Sequence, residues 1–238
     1  MTISFNEFGD GGPVMQSLAE PSSDGQPRKT ETEHHAGGFY RRGIKRLLDI
    51  AAIVAAMPVV VPMIAALAIL VARQGGRPFY CQVRVGKSGK PFRMWKLRSM
   101  VNDADARMEA YLAENPAARA EWDSTQKLQN DPRVTSFGQF LRRSSLDELP
   151  QLWNVLTGDM SLVGPRPMML NQQSMYPGTA YYKLRPGITG YWQTAGRNKT
   201  TFEARAEFDT DYEADLTLAT DLRILARTVN VVLKGTGC

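Results

Sequence analysis

The chain has 238 residues, enough for one or two domains with a sizeable hydrophobic core. Hydrophobic residues make up 43% and charged residues 22%, which excludes a wholly disordered chain and a protein with many membrane spans. With two cysteines and two adjacent histidines, His34 and His35, the composition argues against a disulfide framework, a zinc site and a histidine-based hydrolase. The net charge of +5 favours partners that carry phosphate: nucleic acid, anionic lipid or a nucleotide.

Residues 1–38 are rich in Gly, Pro, Ser, Thr, Asp and Glu and show no apolar periodicity. This composition predicts a disordered N-terminal arm, because it offers too little apolar surface to bury. The start of the chain is acidic and lacks the apolar run of a secretory signal peptide.

Residues 50–72 contain no charged side chain. As a straight helix they would extend about 35 Å, enough to cross the ~30 Å hydrocarbon core of a bilayer. Pro58 and Pro62 lie near the middle, where each lacks the N–H that a continuous helix uses. These features predict a membrane helix that is interrupted near Pro58.

Basic residues flank this segment on both sides, whereas the positive-inside rule gives a simple span only one basic side. The pattern therefore favours a re-entrant (helix-break-helix) membrane hairpin, which returns to the same face, within residues 39–78. A simple span and a buried core helix of a soluble protein are the alternatives.

Residues 79–238 are predicted to form a compact cytosolic α/β domain, mainly α with a small β-hairpin. The hairpin joins short strands at 79–83 and 91–95 through a glycine-containing turn. Helical patterns cover 103–122 with an interruption at Asn115-Pro116, 137–143, 149–156 and 216–233.

Asp147 and Glu148 are adjacent carboxylates at the expected start of a helix. Ser145 and Glu148 have the spacing of a capping box, and Asp147 could itself be the N-cap, which would suit Pro150 better. The functional alternative is a carboxylate nucleophile beside a metal ligand, with arginines close by to neutralise phosphate. The local pattern leaves both interpretations open.

Two further stretches are suited to phosphate binding. Prolines on both sides hold Arg166 in a fixed turn, which suits a bidentate phosphate contact; a rigid turn with a solvated arginine is an equal alternative. Residues 184–198 combine three glycines, two arginines and two aromatic residues, which predicts a tight loop whose backbone approaches a ligand.

Taken together and in order, these motifs resemble the bacterial sugar transferases, the small monotopic polyprenyl-phosphate hexose-1-phosphate transferases. The likeness is strongest to the rhizobial galactose phosphotransferases that initiate exopolysaccharide synthesis, and it covers about residues 45–233. The motifs that carry it are KRLLD at 45–49, KLRSM at 96–100, NDPRVT at 130–135, LDELPQL at 146–152, GDMSLVGPRP at 158–167 and RPGITG at 185–190.

The resemblance implies transfer of a hexose-1-phosphate from a UDP-sugar to undecaprenyl phosphate, with Mg²⁺ and release of UMP. Galactose is favoured, with glucose or another hexose as the alternative. Asp147 would form a phospho-aspartate, and Asp147 and Glu148 would hold Mg²⁺. A carboxylate nucleophile needs no general base, in keeping with residues 79–238, which lack histidine. Asp209 falls on a further family position, with a supporting role.

The resemblance also implies a set of basic residues that bind the substrate phosphates. These are Lys96, Arg98, Arg142, Arg166, Arg185 and Arg197. The implied location is the bacterial inner membrane, with the catalytic domain on the cytoplasmic face and membrane lipid as a partner; a homo-oligomer is left open.

Two functions of other classes compete with this interpretation. A membrane-anchored polybasic scaffold without catalysis would leave the dyad and the loop motifs unexplained. A nucleic-acid binder would require aromatics interleaved with the basic cluster, and Phe92 and Trp95 supply only a weak version. The long charge-free segment also argues against nucleic acid, so none is expected as a partner.

Overall fold

The structure, a computed structural model, describes residues 38–125, 128, 130–195 and 202–233. The predicted N-terminal arm therefore lies outside the described residues, apart from Gly38. The described chain is mostly helical and contains two small sheets.

A long apolar helix opens the described chain. A π-helical turn at Tyr40–Ile44 leads into α1, Lys45–Ala72. Together they span 33 residues, with a mean hydropathy of 2.6 in their most apolar part, long and apolar enough to cross a membrane. α1 continues through Pro58 and Pro62, unlike the interrupted helix predicted from the sequence. An internal proline removes a hydrogen bond and bends a helix without necessarily ending it.

The predicted hairpin is confirmed. β1, Phe79–Val85, pairs antiparallel with β2, Pro91–Leu97, along the full length of both strands. A 3₁₀ turn at Lys87–Gly89 connects them. Tyr80 lies directly opposite Lys96, so the two side chains project from the same face of the hairpin.

Both halves of α1 pack against the same body. Ile53 joins an apolar cluster with Met94, and Leu67 and Val71 pack with Leu97 nearer the other end of the helix. α1 therefore contacts this body through residues on both sides of Pro58 and Pro62. Its outer face leaves large apolar side chains exposed, namely Leu47, Leu48, Val54, Val59, Val61, Ile69 and Leu70.

The eight remaining helices of the described chain include five that lie in the four regions predicted from the sequence, with small shifts of their ends, and three that were not predicted. They are α2, Ala104–Glu114; α3, Pro116–Thr125; α4, Ser136–Arg143; α5, Gln151–Thr157; α6, Ala180–Lys183; α7, Tyr191–Ala195; α8, Arg205–Ala214; and α9, Leu218–Leu233. Short 3₁₀ segments lie at Leu146–Glu148 and Leu170–Met175.

A second sheet corrects the prediction that residues 184–198 form an irregular loop. β3, Ser161–Val163, pairs parallel with β4, Gly187–Thr189, and α7 follows β4. The glycines of this stretch allow two backbones to approach: a Cβ on Gly187 would lie 2.1 Å from the backbone nitrogen of Gly164. Here glycine serves strand packing, which the sequence pattern alone does not distinguish from a ligand loop.

Asp221 of α9 fastens the base of α1. Its carboxylate accepts hydrogen bonds from Tyr40 (2.7 Å), Lys45 (2.5 Å) and Tyr212 of α8 (2.7 Å). All these groups except Lys45 are buried. The base of the apolar helix is thus tied by polar contacts to the C-terminal helices.

Candidate active site

A polar cavity of about 90 Å³ lies between the hairpin and the segment that follows α4. It brings together five of the residues predicted from the sequence, both acidic and basic. Its lining consists of Tyr80, Lys96, Ser99, Arg142, Ser145, Asp147, Glu148 and Arg166.

The two carboxylates are placed by a 3₁₀ turn rather than by a helix start. Ser145 precedes them in the left-handed conformation (φ 57°), and its side chain makes no capping hydrogen bond. α5 begins only after Pro150, which is its N-cap. The capping interpretations are therefore wrong, and both carboxylates line the cavity. Strained backbone of this kind at a non-glycine residue is typical of functional sites.

Lys96 of β2 bridges the two carboxylates. Its Nζ lies 2.8 Å from Glu148 Oε1 and 3.7 Å from Asp147 Oδ2. Burial alone would lower the pKa of Lys96, but the charges of Glu148 and Asp147 outweigh burial and raise it. Lys96 therefore remains a cation and offsets one of the two negative charges.

Asp147 is a carboxylate that is only partly compensated. It is 7% exposed, and burial raises its pKa, with the charge of Glu148 adding to the rise and Lys96 and Arg142 opposing it. A poorly solvated carboxylate is a stronger nucleophile and attracts further positive charge. Arg142 is held at the cavity by a hydrogen bond from its Nε to Ser99 Oγ (2.9 Å).

The donor set of the cavity fits Mg²⁺. Mg²⁺ prefers oxygen ligands and commonly takes one or two carboxylates, with substrate phosphates completing its shell. Asp147 and Glu148 supply such a pair. Within the described chain no cluster of three or more acidic, histidine or cysteine side chains offers a competing metal site.

Arg205 of α8, which sequence reasoning missed, holds the loop that carries Arg166. Its Nη2 donates to the backbone carbonyl of Arg166 (2.7 Å). The guanidinium groups of both arginines lie over the ring of Trp192, at 5.0 Å for Arg205 and 5.7 Å for Arg166. An arginine within a helical pattern carries no signal that separates this position from a solvated surface site.

Asp209, one turn after Arg205 on α8, is buried outside the cavity lining. The hydroxyl of Tyr176 donates to Asp209 Oδ2 (2.9 Å). Burial raises the pKa of Asp209 to about 6, although Tyr176 and Arg205 both act to lower it. Asp209 therefore contacts Tyr176 and does not line the cavity.

Two of the predicted phosphate-binding residues, Arg98 and Arg185, are outside the lining of the cavity. The guanidinium of Arg98 donates to the Asn102 side chain and to the carbonyl of Gly75 at the surface. Arg185 Nε donates to the carbonyl of Gly158 (3.0 Å). Arg197 lies outside the described residues.

An apolar groove of about 330 Å³ adjoins the cavity between α1, α5 and the edge of the hairpin. Leu149 and Pro150, which follow Glu148 directly, belong to its wall. The full lining is Ile53, Met57, Val60, Val61, Ile64, Phe79, Trp95, Leu149, Pro150, Leu152, Trp153 and Leu156. A charged cavity thus opens beside an apolar surface that includes the membrane-type helix.

The chain belongs to the bacterial sugar transferase family, whose model matches residues 40–235. It is 44% identical over 198 residues to a UDP-galactose-lipid carrier transferase of Erwinia amylovora and to an undecaprenyl-phosphate galactose phosphotransferase of Salmonella typhimurium. Each match covers 82% of this chain and 42% of the relative, so the chain spans less than half the length of these two proteins.

A shorter relative has nearly the same extent as this chain. The exopolysaccharide production protein ExoY of Rhizobium meliloti is 40% identical over 214 residues, which cover 89% of this chain and 93% of that protein. The predicted resemblance to rhizobial members of the family is thereby confirmed.

Proposed function

We propose that the protein transfers a hexose-1-phosphate from a UDP-sugar to undecaprenyl phosphate, releasing UMP, as the first membrane step of exopolysaccharide synthesis. The observation that carries this proposal is a partly compensated carboxylate pair, flanked by cations, at the end of an apolar groove. Galactose is the favoured sugar because two relatives at 44% identity bear galactose in their names. Glucose or another hexose is the alternative.

The reaction proceeds in two displacements at one phosphorus. An Asp147 carboxylate oxygen attacks the sugar-linked phosphorus, the bond from that phosphorus to the bridging oxygen breaks, and UMP leaves. An oxygen of the lipid phosphate then attacks the resulting phospho-aspartate, which restores the carboxylate and yields the lipid-linked sugar diphosphate. Neither nucleophile carries a proton that must be removed, so neither step needs a histidine.

The cations of the cavity have a direct use in this chemistry. Lys96, Arg142 and Arg166 line the space in which the phosphoryl oxygens would lie, and they neutralise charge as it moves from one oxygen to another. Asp147 and Glu148 would hold Mg²⁺, which supplies further positive charge to the diphosphate.

The apolar groove suits the prenyl chain of the acceptor. A polyprenyl phosphate keeps its chain in lipid and its phosphate at the interface, and the groove leads from apolar α1 to the residues that follow the dyad. Partly exposed aromatic rings at its rim, Phe79, Trp95 and Trp153, are typical of the level of the lipid headgroups.

The membrane arrangement proposed for α1 keeps both of its ends at the cytoplasmic face, with the helix bent rather than interrupted at Pro58 and Pro62. Packing supports this monotopic arrangement, because both halves of α1 contact the same body. A helix that crossed the bilayer would separate its two ends by the hydrocarbon core. The proposed location is the bacterial inner membrane, with residues 79–238 as the cytosolic catalytic domain.

The decisive experiment measures UMP release by the purified protein with Mg²⁺, undecaprenyl phosphate in detergent and a panel of UDP-sugars. Lipid-dependent UMP release from one sugar is expected, with UDP-galactose the best donor. Absence of UMP from every donor, with circular dichroism showing folded protein, would contradict the transferase and favour the non-catalytic scaffold.

A further inference from the structure

Three arginines meet at the side of the cavity where Arg166 lies. Arg84 comes from β1 and Arg205 from α8, and both contact the loop of Arg166. Arg205 Nη2 donates to the Arg166 carbonyl (2.7 Å), and Arg84 Nη1 lies 3.5 Å from the carbonyl oxygen of Pro167. We name Arg84, Arg166 and Arg205 the arginine cluster.

The arginine cluster is short of negative charge. Burial and the neighbouring charge of Arg166 lower the pKa of Arg84 and of Arg205, and Asp209 offsets this only in part for Arg205. The buried Nε–H groups of Arg84 and Arg205 have no hydrogen-bond partner among the described residues. Arg205 is only 6% exposed. Buried like charges without a counter-ion are costly, which points to an anion bound beside Arg166, the member of the cluster that lines the cavity.

The cluster is continuous with the catalytic cavity and separate from the groove. Arg166 lines the cavity with Asp147, and none of the three arginines is among the residues that line the apolar groove. The ring of Trp192 lies under both Arg166 and Arg205. The position therefore offers positive charge and an aromatic surface away from the apolar wall.

Building on the proposed function, we propose that the arginine cluster is the subsite for the phosphate of the donor's nucleotide, the group that departs as UMP. Arg166 contacts the phosphate from the cavity wall. Arg84 and Arg205 do not line the cavity, but they hold the loop that carries Arg166. Their positive charge strengthens the attraction between the arginine cluster and the phosphate. The prenyl chain of the acceptor occupies the groove, where the cluster makes no contribution.

The test uses Arg84→Gln and Arg205→Gln in the full-length protein, with Arg107→Gln on the exposed surface of α2 as the matched control. UMP is titrated against each protein while its melting temperature is followed. UMP should raise the melting temperature of wild type and the control. In the cluster variants the UMP dissociation constant should rise about 10-fold, because one of the positive charges near the phosphate is lost.

A role in folding alone would lower the melting temperature without UMP. Arg84→Gln, which removes one of three like charges, should instead leave that temperature unchanged or raise it. Arg205→Gln also loses the hydrogen bond to the Arg166 carbonyl, so its melting temperature should fall. Arg84→Lys, which keeps the charge, should recover part of the UMP affinity. If Arg205→Gln fails to fold, the Arg84 variants still decide the proposal.

Kinetics separate the donor phosphate from the lipid phosphate. The KM for the UDP-sugar should rise in both Gln variants, whereas the KM for a short-chain polyprenyl phosphate should not change. Equal rises in the KM values of both substrates would contradict the assignment of the cluster to the nucleotide phosphate. Unchanged KM values for both would show that the cluster binds neither substrate. If wild type binds UMP through these arginines yet releases none from any UDP-sugar, the proposed transferase fails instead.

Discussion

The chemistry of single residues centres on Asp147, a carboxylate buried beside a second carboxylate with Lys96 as their shared cation. Because the two carboxylates share one lysine, part of their negative charge is not neutralised, and a bound Mg²⁺ would neutralise it. The site is therefore costly to maintain in the free protein, and this cost is typical of residues kept for chemistry rather than stability.

Replacing Asp147 by Asn should lower transfer by about 10³-fold or more, because an amide cannot form the phospho-enzyme. The melting temperature should stay the same or rise, since burial already disfavours the charged form. The measurement is UMP release beside a thermal melt, with the exposed Asp103→Asn as control. Turnover close to wild type in the Asp147 variant would exclude the covalent mechanism.

The raised pKa of Asp209 predicts that the free energy of unfolding depends on pH. Its pKa rises from the ordinary 3.8 to about 6 in the folded protein, so the folded state holds the proton more tightly than the unfolded state. The stabilisation of the fold that comes from this tighter proton binding is complete below about pH 4 and is lost as the pH rises through 6. Relative to Asp209→Asn, the wild type should lose up to about 3 kcal/mol between pH 4 and 7.

Denaturant unfolding at several pH values in detergent measures that difference. Asn can still accept the hydrogen bond from Tyr176, so the comparison isolates the charge. The exposed Asp211→Asn serves as the control and should show no comparable trend. A stability difference for Asp209→Asn that stays constant with pH would contradict the prediction.

At the scale of elements, the attachment of α1 depends on Asp221 of α9. Asp221→Ala leaves Lys45 without its partner, a loss of about 3–5 kcal/mol by comparison with other broken buried pairs. Adding Lys45→Met should cost less than the sum of the two single changes, since the pair acts together. Chemical denaturation gives these values, with exposed Glu207→Gln as control. Strict additivity would show that the contact contributes nothing.

The groove between α1 and α5 predicts a selective effect on the acceptor. Trp153→Ala removes a large apolar side chain from its wall, and we expect the KM for polyprenyl phosphate to rise about 10-fold. The KM for the UDP-sugar should change little. Phe140→Ala, which removes an exposed aromatic outside the groove, is the matched control. A shift in the donor KM alone would place the prenyl chain elsewhere.

For the whole molecule, the central prediction is that both ends of α1 face the same side of the membrane. Single cysteines at Arg42→Cys and at Ser88→Cys, in a background that lacks Cys81 and Cys238, should react with an impermeant maleimide in inside-out vesicles. If one cysteine reacted only in inside-out vesicles and the other only in right-side-out vesicles, the two ends of α1 would lie on opposite sides of the membrane and the helix would span it.

Membrane attachment itself should survive washing with 1 M salt. Electrostatic contacts are screened beyond about 3 Å at that concentration, whereas apolar burial is not. Release of the protein into the supernatant by salt alone would mean that the basic flanks, and not α1, hold it at the membrane.

The amino-acid sequence by itself determined the apolar helix, the hairpin, the four helical regions and the acidic pair, because each depends on local periodicity or on adjacent residues. The family motifs also indicated Lys96, Arg142 and Arg166, which meet Asp147 in one cavity. Only the tertiary structure decided that Arg98 and Arg185 contact backbone carbonyls elsewhere, that α1 packs at both ends on one body, and that Arg84 and Arg205 converge on Arg166. These facts depend on contacts between residues far apart in the chain, and neither composition nor spacing encodes the direction of a side chain.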